Sequence, residues 1–315
     1  MRITVETLKS NLKYILDIDK RLTIIKGNSA TGKSHLVRLI DEYGKSGVVI
    51  KSPLELIHVN FKILNAFNLK KDKNLLYVFD EDDGISDKNV INFINDINNN
   101  VIIITRDISL PEINYGIDNV YEFRESNKFN ILVRKYDKIN KNNVNTRELS
   151  KILTEDSGSG FDFYSNLNNF KVNSAYGNSN IINCIENNQI IALDSLGIGP
   201  YIDNILNKIK NLNSYVIYPK SFEWLLLESG IFSKTSEISI KNFKNEEDFY
   251  NKLLKQTMLY YNKRYSKEKL NKWFLEDKQF DKILGKINEL FKINLKELNN
   301  NLKTVKNHIF EWGDL

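Results

Sequence analysis

The eight residues Gly27-Asn28-Ser29-Ala30-Thr31-Gly32-Lys33-Ser34 constrain this chain more than any other stretch. They match G-x-x-x-x-G-K-[ST], and their flanks carry the periodicities that the pattern needs. Leu22 to Ile25 is a short apolar run rich in β-branched residues, which predicts a buried strand feeding the loop. Beyond the loop, positions 36, 39, 40 and 43 repeat at the one-face spacing of a helix. Strand, glycine-bearing turn and helix start, in that order, make a cradle for anions. The glycines let backbone N–H groups wrap phosphate oxygens, and the helix N-terminus adds positive potential. Lys33 supplies a mobile cation and the Ser34 hydroxyl a ligand for Mg²⁺. All eight loop residues are therefore candidate nucleotide contacts, and the expected ligand is ATP with Mg²⁺.

A second signature follows about 50 residues on. Asn74 to Phe79 is a continuous apolar run that ends in Asp80-Glu81, a buried strand delivering acids to its carboxyl end. Asp80 is expected to hold Mg²⁺ through water. Glu81 is placed to orient or deprotonate an attacking water, which makes Glu81 and Lys33 the candidate catalytic residues. Val101 to Ile104 predicts another buried strand, ending at Thr105-Arg106. Thr105 and Arg106 are candidates for sensing the γ-phosphate, a surface arginine being the alternative. Together these motifs resemble a P-loop NTPase, which implies a parallel sheet with the nucleotide at its carboxyl edge. The Leu-Ser-Gly-Gly-Gln signature of transporter-type ATPases is missing. No arginine-finger candidate stands out, so a protein partner or a homo-oligomer is expected to complete the site.

The remaining elements of this part read more weakly. Met1 to Val5 and Leu12 to Asp17 suggest a hairpin-like lead-in, and Gly47 to Lys51 a short strand. Ser52-Pro53 reads as the N-cap and first position of a helix. Asp87 to Asn98 predicts a helix, and Val120 to Phe123 with Phe129 to Val133 a closing hairpin. Residues 136 to 147 are polar without an apolar period and mark a boundary.

The organisation expected is an ATPase domain over residues 1–138, a smaller α/β domain over 148–240 and a helical region over 241–315. In the second domain, strands are predicted at Ile152–Thr154, 171–175, Ile190–Leu193 and 215–218, with helices near 161–167, 181–186 and 200–210. Acids close two of the strands, Glu155-Asp156 and Asp194. The spacing of Thr-Glu-Asp, then Ala-Tyr-Gly-Asn-Ser-Asn-Ile, then Ala-Leu-Asp-Ser, resembles a Toprim fold over roughly residues 148 to 230. The whole then resembles the ATPase–Toprim proteins of bacterial mobile elements and phage defence. That resemblance implies a second metal site built from Glu155, Asp194 and Glu223, acting on nucleic acid. The chain departs from it where Leu196 stands at the second acid of Asp-x-Asp, Asp156 at the glycine of Glu-Gly and Asn178 at a common lysine. The residues alone also fit a structural α/β domain whose acids end strands.

Bulk properties set the remaining bounds. The net charge of the 315 residues is +5, and all of it lies in residues 241–315, with 16 Lys+Arg against 11 Asp+Glu. There, tyrosines and Trp273 alternate with lysines, a pattern that suits nucleic acid or a helical cap with a solvated basic face. The single cysteine, Cys184, excludes a disulfide framework and is expected in a core. His35, His58 and His308 are isolated. No apolar run approaches a membrane span, so a cytoplasmic protein without membrane contact is expected. The abundant asparagines are expected at surface positions. Two functions follow as expectations: an ATP-hydrolysing effector of a mobile-element or antiviral defence system, or an ATP-dependent switch whose Toprim-like domain only binds a partner protein. A small-molecule kinase is disfavoured, because no arginine-rich lid segment is visible.

Overall fold

The computed structural model describes residues 1–8, 12–28, 31–45, 47–59, 74–81, 84–95, 99–106, 109–110, 112–113, 115–136, 144–158, 161, 164–165, 170–194 and 197–218. The chain divides into two compact units, Met1–Tyr136 and Asp137–Leu315. The expected helix near 161–167 lies partly, and Glu223 and the expected helical tail wholly, outside the described residues, as do Ser29, Ala30 and Leu196.

The first unit is built on a nine-stranded sheet. In chain order its strands are β1 (Arg2–Thr7), β2 (Lys13–Asp17), β3 (Leu22–Lys26), β4 (Val48–Lys51), β5 (Glu55–His58), β6 (Leu75–Phe79), β7 (Asn100–Thr105), β8 (Val120–Ser126) and β9 (Phe129–Arg134). Two helices accompany them, α1 (Lys33–Asp41) and α2 (Lys88–Ile94). The spatial order is β4-β1-β2-β9-β8-β3-β7-β6-β5. The stretch β8-β3-β7-β6-β5 is parallel throughout. The remainder makes the sheet mixed rather than parallel throughout: β2 pairs parallel with β9, and the hairpins expected for the lead-in and the closing strands are both found. β1 pairs antiparallel with β2 and β4, and β8 antiparallel with β9. The cause is connection length: β8 and β9 are joined by Asn127 and Lys128 alone, with Asn127 at φ 56°, and two residues close only an antiparallel pair.

The two faces of this sheet bury alternate side chains. Leu76, Val78, Ile102, Ile104 and Ile25 face the core that contains Leu36, Val37, Leu39 and Ile40 of α1. On β6, Tyr77 and Phe79 alternate with these and pack against Phe93 of α2, edge-on and tilted respectively, with ring centroids 4.9 and 6.3 Å apart. Each such side chain contributes about 1.5–3 kcal/mol by leaving water.

Two local readings differ from the structure. Ser52-Pro53 does not open a helix. The Ser52 hydroxyl accepts from the Leu54 N–H at 3.1 Å, and the chain turns directly into β5. The Ser-Pro signal is local, whereas Leu56 and Ile57 gain Leu76 and Tyr77 as neighbours across the sheet, and that pairing decides. The helix expected over 87–98 is found as Lys88–Ile94. Asp87 caps it by accepting from the N–H groups of Asn89 and Val90 at 2.8 and 3.4 Å.

The second unit holds β10 (Lys151–Thr154), β11 (Lys171–Ser174), β12 (Gln189–Ala192) and β13 (Tyr215–Ile217), all parallel, in the order β11-β10-β12-β13. Helices α3 (Ile181–Cys184) and α4 (Ile202–Ile209) lie in the crossovers. Helix α4 buries Ile202, Ile205 and Ile209, one face of a helical repeat. Cys184 is half-buried rather than in a core, because α3 is a single turn. Asparagines here are more than surface filler. Asn213 accepts from the Asn145 N–H at 2.7 Å and donates to Asn188 at 2.7 Å, tying the turns ahead of the strands. Among the described residues, no helix is long and apolar enough to cross a membrane.

Candidate functional site

The loop between β3 and α1 is shaped by its glycines. Gly32 is the N-cap of α1 at φ 79°, a left-handed conformation that side chains resist. A Cβ on Gly27 would come within 2.8 Å of the Thr31 hydroxyl, so a side chain there would collide with the loop itself. The Gly27 N–H leans on the Thr105 carbonyl of β7 at 3.4 Å. The Lys33 ammonium is folded into this loop. It donates to the carbonyls of Gly27 and of Asn28, the latter at 2.8 Å, and to the Thr31 hydroxyl at 3.1 Å. Thr31 in turn donates to the Asn28 carbonyl at 3.0 Å. Ser34 is exposed on the first turn of α1.

The acids arrive from two strands away. β6 ends at Phe79, and Asp80 accepts from the Glu81 N–H at 2.9 Å. The strand between, β7, ends at Thr105, which is buried, and hands on to Arg106. Glu81 accepts from the Arg106 N–H at 3.3 Å and lies 3.5 Å from its guanidinium. Burial, and next the Arg106 charge, lowers the Lys33 ammonium from its ordinary value, while Glu81 and Asp80 pull it the other way. Lys33, Asp80, Glu81 and Arg106 thus share one electrostatic neighbourhood at the carboxyl edge of the parallel strands. Among the described residues no three His, Cys, Asp or Glu side chains are grouped to hold a metal.

Sequence reasoning missed the support under this loop. Tyr14 of β2 is fully buried, and its hydroxyl donates to the Gly32 carbonyl at 2.8 Å. The same hydroxyl lies 3.0 Å from His35 Nδ1 and is also bonded by the Asn130 side chain. Asn130 of β9 is Tyr14's direct partner across the strands. Burial pushes the Tyr14 phenol up to about 12, so it stays protonated. The only signal in the sequence is that Tyr14 and Leu16 are the inward positions of an alternating strand.

In the second unit β10 and β12 are adjacent, and from β10 the chain first leaves to one side, to β11, and then crosses back to β12. Such a reversal opens a crevice at the strands' carboxyl ends. Glu155 and Asp194 stand there. The Glu155 carboxylate accepts from the Asp194 N–H at 2.9 Å. Burial, with the Asp194 charge second, raises Glu155 to about 7, against a bond from the Asn178 side chain that lowers it. The Asp156 carboxylate accepts from the Phe161 N–H at 3.2 Å. Tyr176, 80% exposed at φ 58°, sits on the turn that follows β11, and the Gly177 N–H donates to the Glu155 carbonyl at 2.7 Å.

No protein-family model, curated protein or solved structure matches the chain.

Proposed function

We propose that the first unit binds and hydrolyses ATP at the Gly27–Ser34 loop, in the manner of a P-loop NTPase. The observation that carries this is the convergence of Lys33, Asp80, Glu81 and Arg106, from three separate elements, on one edge of a parallel sheet. The loop N–H groups and Lys33 take the β- and γ-phosphates, with the ammonium exchanging the carbonyls of Gly27 and Asn28 for phosphate oxygens. Thr105 and Arg106, on the strand between loop and acids, are placed beside the γ-phosphate. Arg106 moves from Glu81 to that phosphate, and Glu81 is released to orient the attacking water. Water oxygen bonds to the γ-phosphorus, the β–γ bridging bond breaks, ADP leaves, and the water proton passes to Glu81. Ser34, by its hydroxyl, and Asp80, through water, would hold Mg²⁺, and the ion would supply neutralisation of the phosphate charge. Mg²⁺-dependent release of phosphate from ATP by the purified chain tests this reading. Failure to bind ATP or ADP overturns it.

The second unit fits a Toprim-like domain contacting nucleic acid, with Glu155 and Asp194 at the switch point and Tyr176 at the same edge as a stacking face for a base. With the ATPase this makes an ATP-driven effector of a mobile-element or anti-phage defence system, acting with a protein partner or as a homo-oligomer. One observation favours the switch reading, in which this unit binds a partner and cuts nothing: the Glu155 carboxylate is engaged by the chain's own Asp194 N–H and Asn178 side chain.

A further inference from the structure

The buried hydroxyl of Tyr14 has a geometry that packing alone does not require. It donates to the carbonyl of Gly32, which already accepts the first helical bond from the Leu36 N–H at 3.0 Å. A hydroxyl has one proton to give. With that proton on Gly32, the Nδ1 atom of His35 at 3.0 Å must be the donor to Tyr14, which fixes the His35 tautomer as Nδ1–H. Asn130 adds a further side-chain bond to the same oxygen. The result is a directed chain from His35 through Tyr14 to the Gly32 carbonyl.

The consequence follows from peptide geometry. In a planar trans peptide the C=O and the next N–H point in opposite directions. Fixing the Gly32 carbonyl from outside therefore aims the Lys33 backbone N–H into the loop. Two bonds to one carbonyl also polarise the peptide and make that N–H a stronger donor. A Cβ on Gly32 would approach the Tyr14 oxygen to 2.9 Å, so the glycine and the tyrosine are fitted to each other.

We propose that Tyr14, held by His35 and Asn130, is a positioning residue for the phosphate cradle: it sets the Gly32–Lys33 peptide so that the Lys33 N–H meets a polyphosphate. This rests on the phosphate-binding reading of the Gly27–Ser34 loop. Tyr14→Phe keeps the ring and its edge-on packing on Phe123, at 5.4 Å, and removes only the hydroxyl.

The test is calorimetric titration of ATP, ADP and inorganic pyrophosphate with Mg²⁺ into the full chain and its variants, with steady-state hydrolysis alongside. Tyr14→Phe is expected to weaken all three ligands by about five-fold, the scale of one neutral hydrogen bond. Its kcat at saturating ATP should stay within about twofold, because the contact serves substrate and transition state alike. His35→Asn, which keeps an N–H donor near the Nδ1 position, should recover most of the binding that His35→Leu loses. A merely structural tyrosine lowers the melting temperature and leaves these affinities alone. A folded Tyr14→Phe with unchanged affinities overturns the proposal, and so does a His35→Asn no better than His35→Leu. Should Tyr14→Phe not fold, the His35 pair decides. Wild type binding none of the three ligands overturns the underlying reading instead.

Discussion

Glu81 and Arg106 hold each other: the carboxylate accepts from the Arg106 N–H at 3.3 Å and sits 3.5 Å from the guanidinium. The pair is solvent-facing, the side chains being 40% and 66% exposed, and such pairs contribute about 0.2–1 kcal/mol. A contact this weak is readily exchanged for a phosphate. Arg106→Ala is therefore expected to lower kcat for ATP by about 10²-fold, the scale of losing one charge-stabilising donor. Its unfolding free energy should fall by less than about 1 kcal/mol. A variant with wild-type turnover would remove Arg106 from the site.

Glu81→Gln keeps the shape of the carboxylate and loses its basicity. Tight ATP binding with hydrolysis reduced by about 10²-fold or more is expected, the usual scale for a general base. Single-turnover kinetics with radiolabelled ATP measure this directly. Unchanged kcat would move the base elsewhere.

Glu155 gives a pH prediction that is independent of nucleotide. Its folded value of about 7 lies above the ordinary carboxylate value of 4.5, so the folded state holds a proton that the unfolded chain has released. The contribution is fully present below pH 4.5 and is lost as pH rises through 7. In EDTA, wild type should lose stability between pH 5 and 8, by up to about 3 kcal/mol. Glu155→Gln, which retains an oxygen for the Asp194 N–H, should not show this loss. Urea melts of both proteins across that range check it, and parallel curves would contradict the burial of this carboxyl.

The same residue separates the two readings of the second unit. With Leu196 in place of a second acid, little cleavage of plasmid, single-stranded DNA or tRNA is expected from the purified chain with ATP and Mg²⁺ or Mn²⁺. Robust cleavage that disappears in Glu155→Ala/Asp194→Ala would establish an active metal site and remove the switch reading.

The first unit was legible where the signal was local. Strand β3, the loop and α1 are contiguous, and the apolar run of β6 leads directly to its acids, so pattern and structure coincide. Pairing between distant segments was not legible. Nothing in Glu55–His58 announces β6 as its neighbour, and the Ser-Pro pair ahead of it is a local helix-start signal. Tyr14 and Gly32 are 18 residues apart, and β2 is separated from β3 by β9 and β8 in the sheet. Tyr14 shares a core with Leu36, Val37, Leu39 and Ile40 of α1, and that shared packing is a long-range relation that no local pattern carries. The Glu81–Arg106 pair is intermediate: each residue was marked by its strand end, but their contact depends on β6 and β7 being neighbours.

The most direct measurement is ATP binding by wild type and Lys33→Ala, titrated with Mg²⁺ present and followed by hydrolysis. Lys33 is the loop cation, buried to 7% exposure and seated on the carbonyls that phosphate would replace. Saturable binding and Mg²⁺-dependent turnover by wild type, both abolished in a folded Lys33→Ala, is the expected result. Equal affinity and equal hydrolysis in the two proteins would contradict a phosphate-binding loop at Gly27–Ser34.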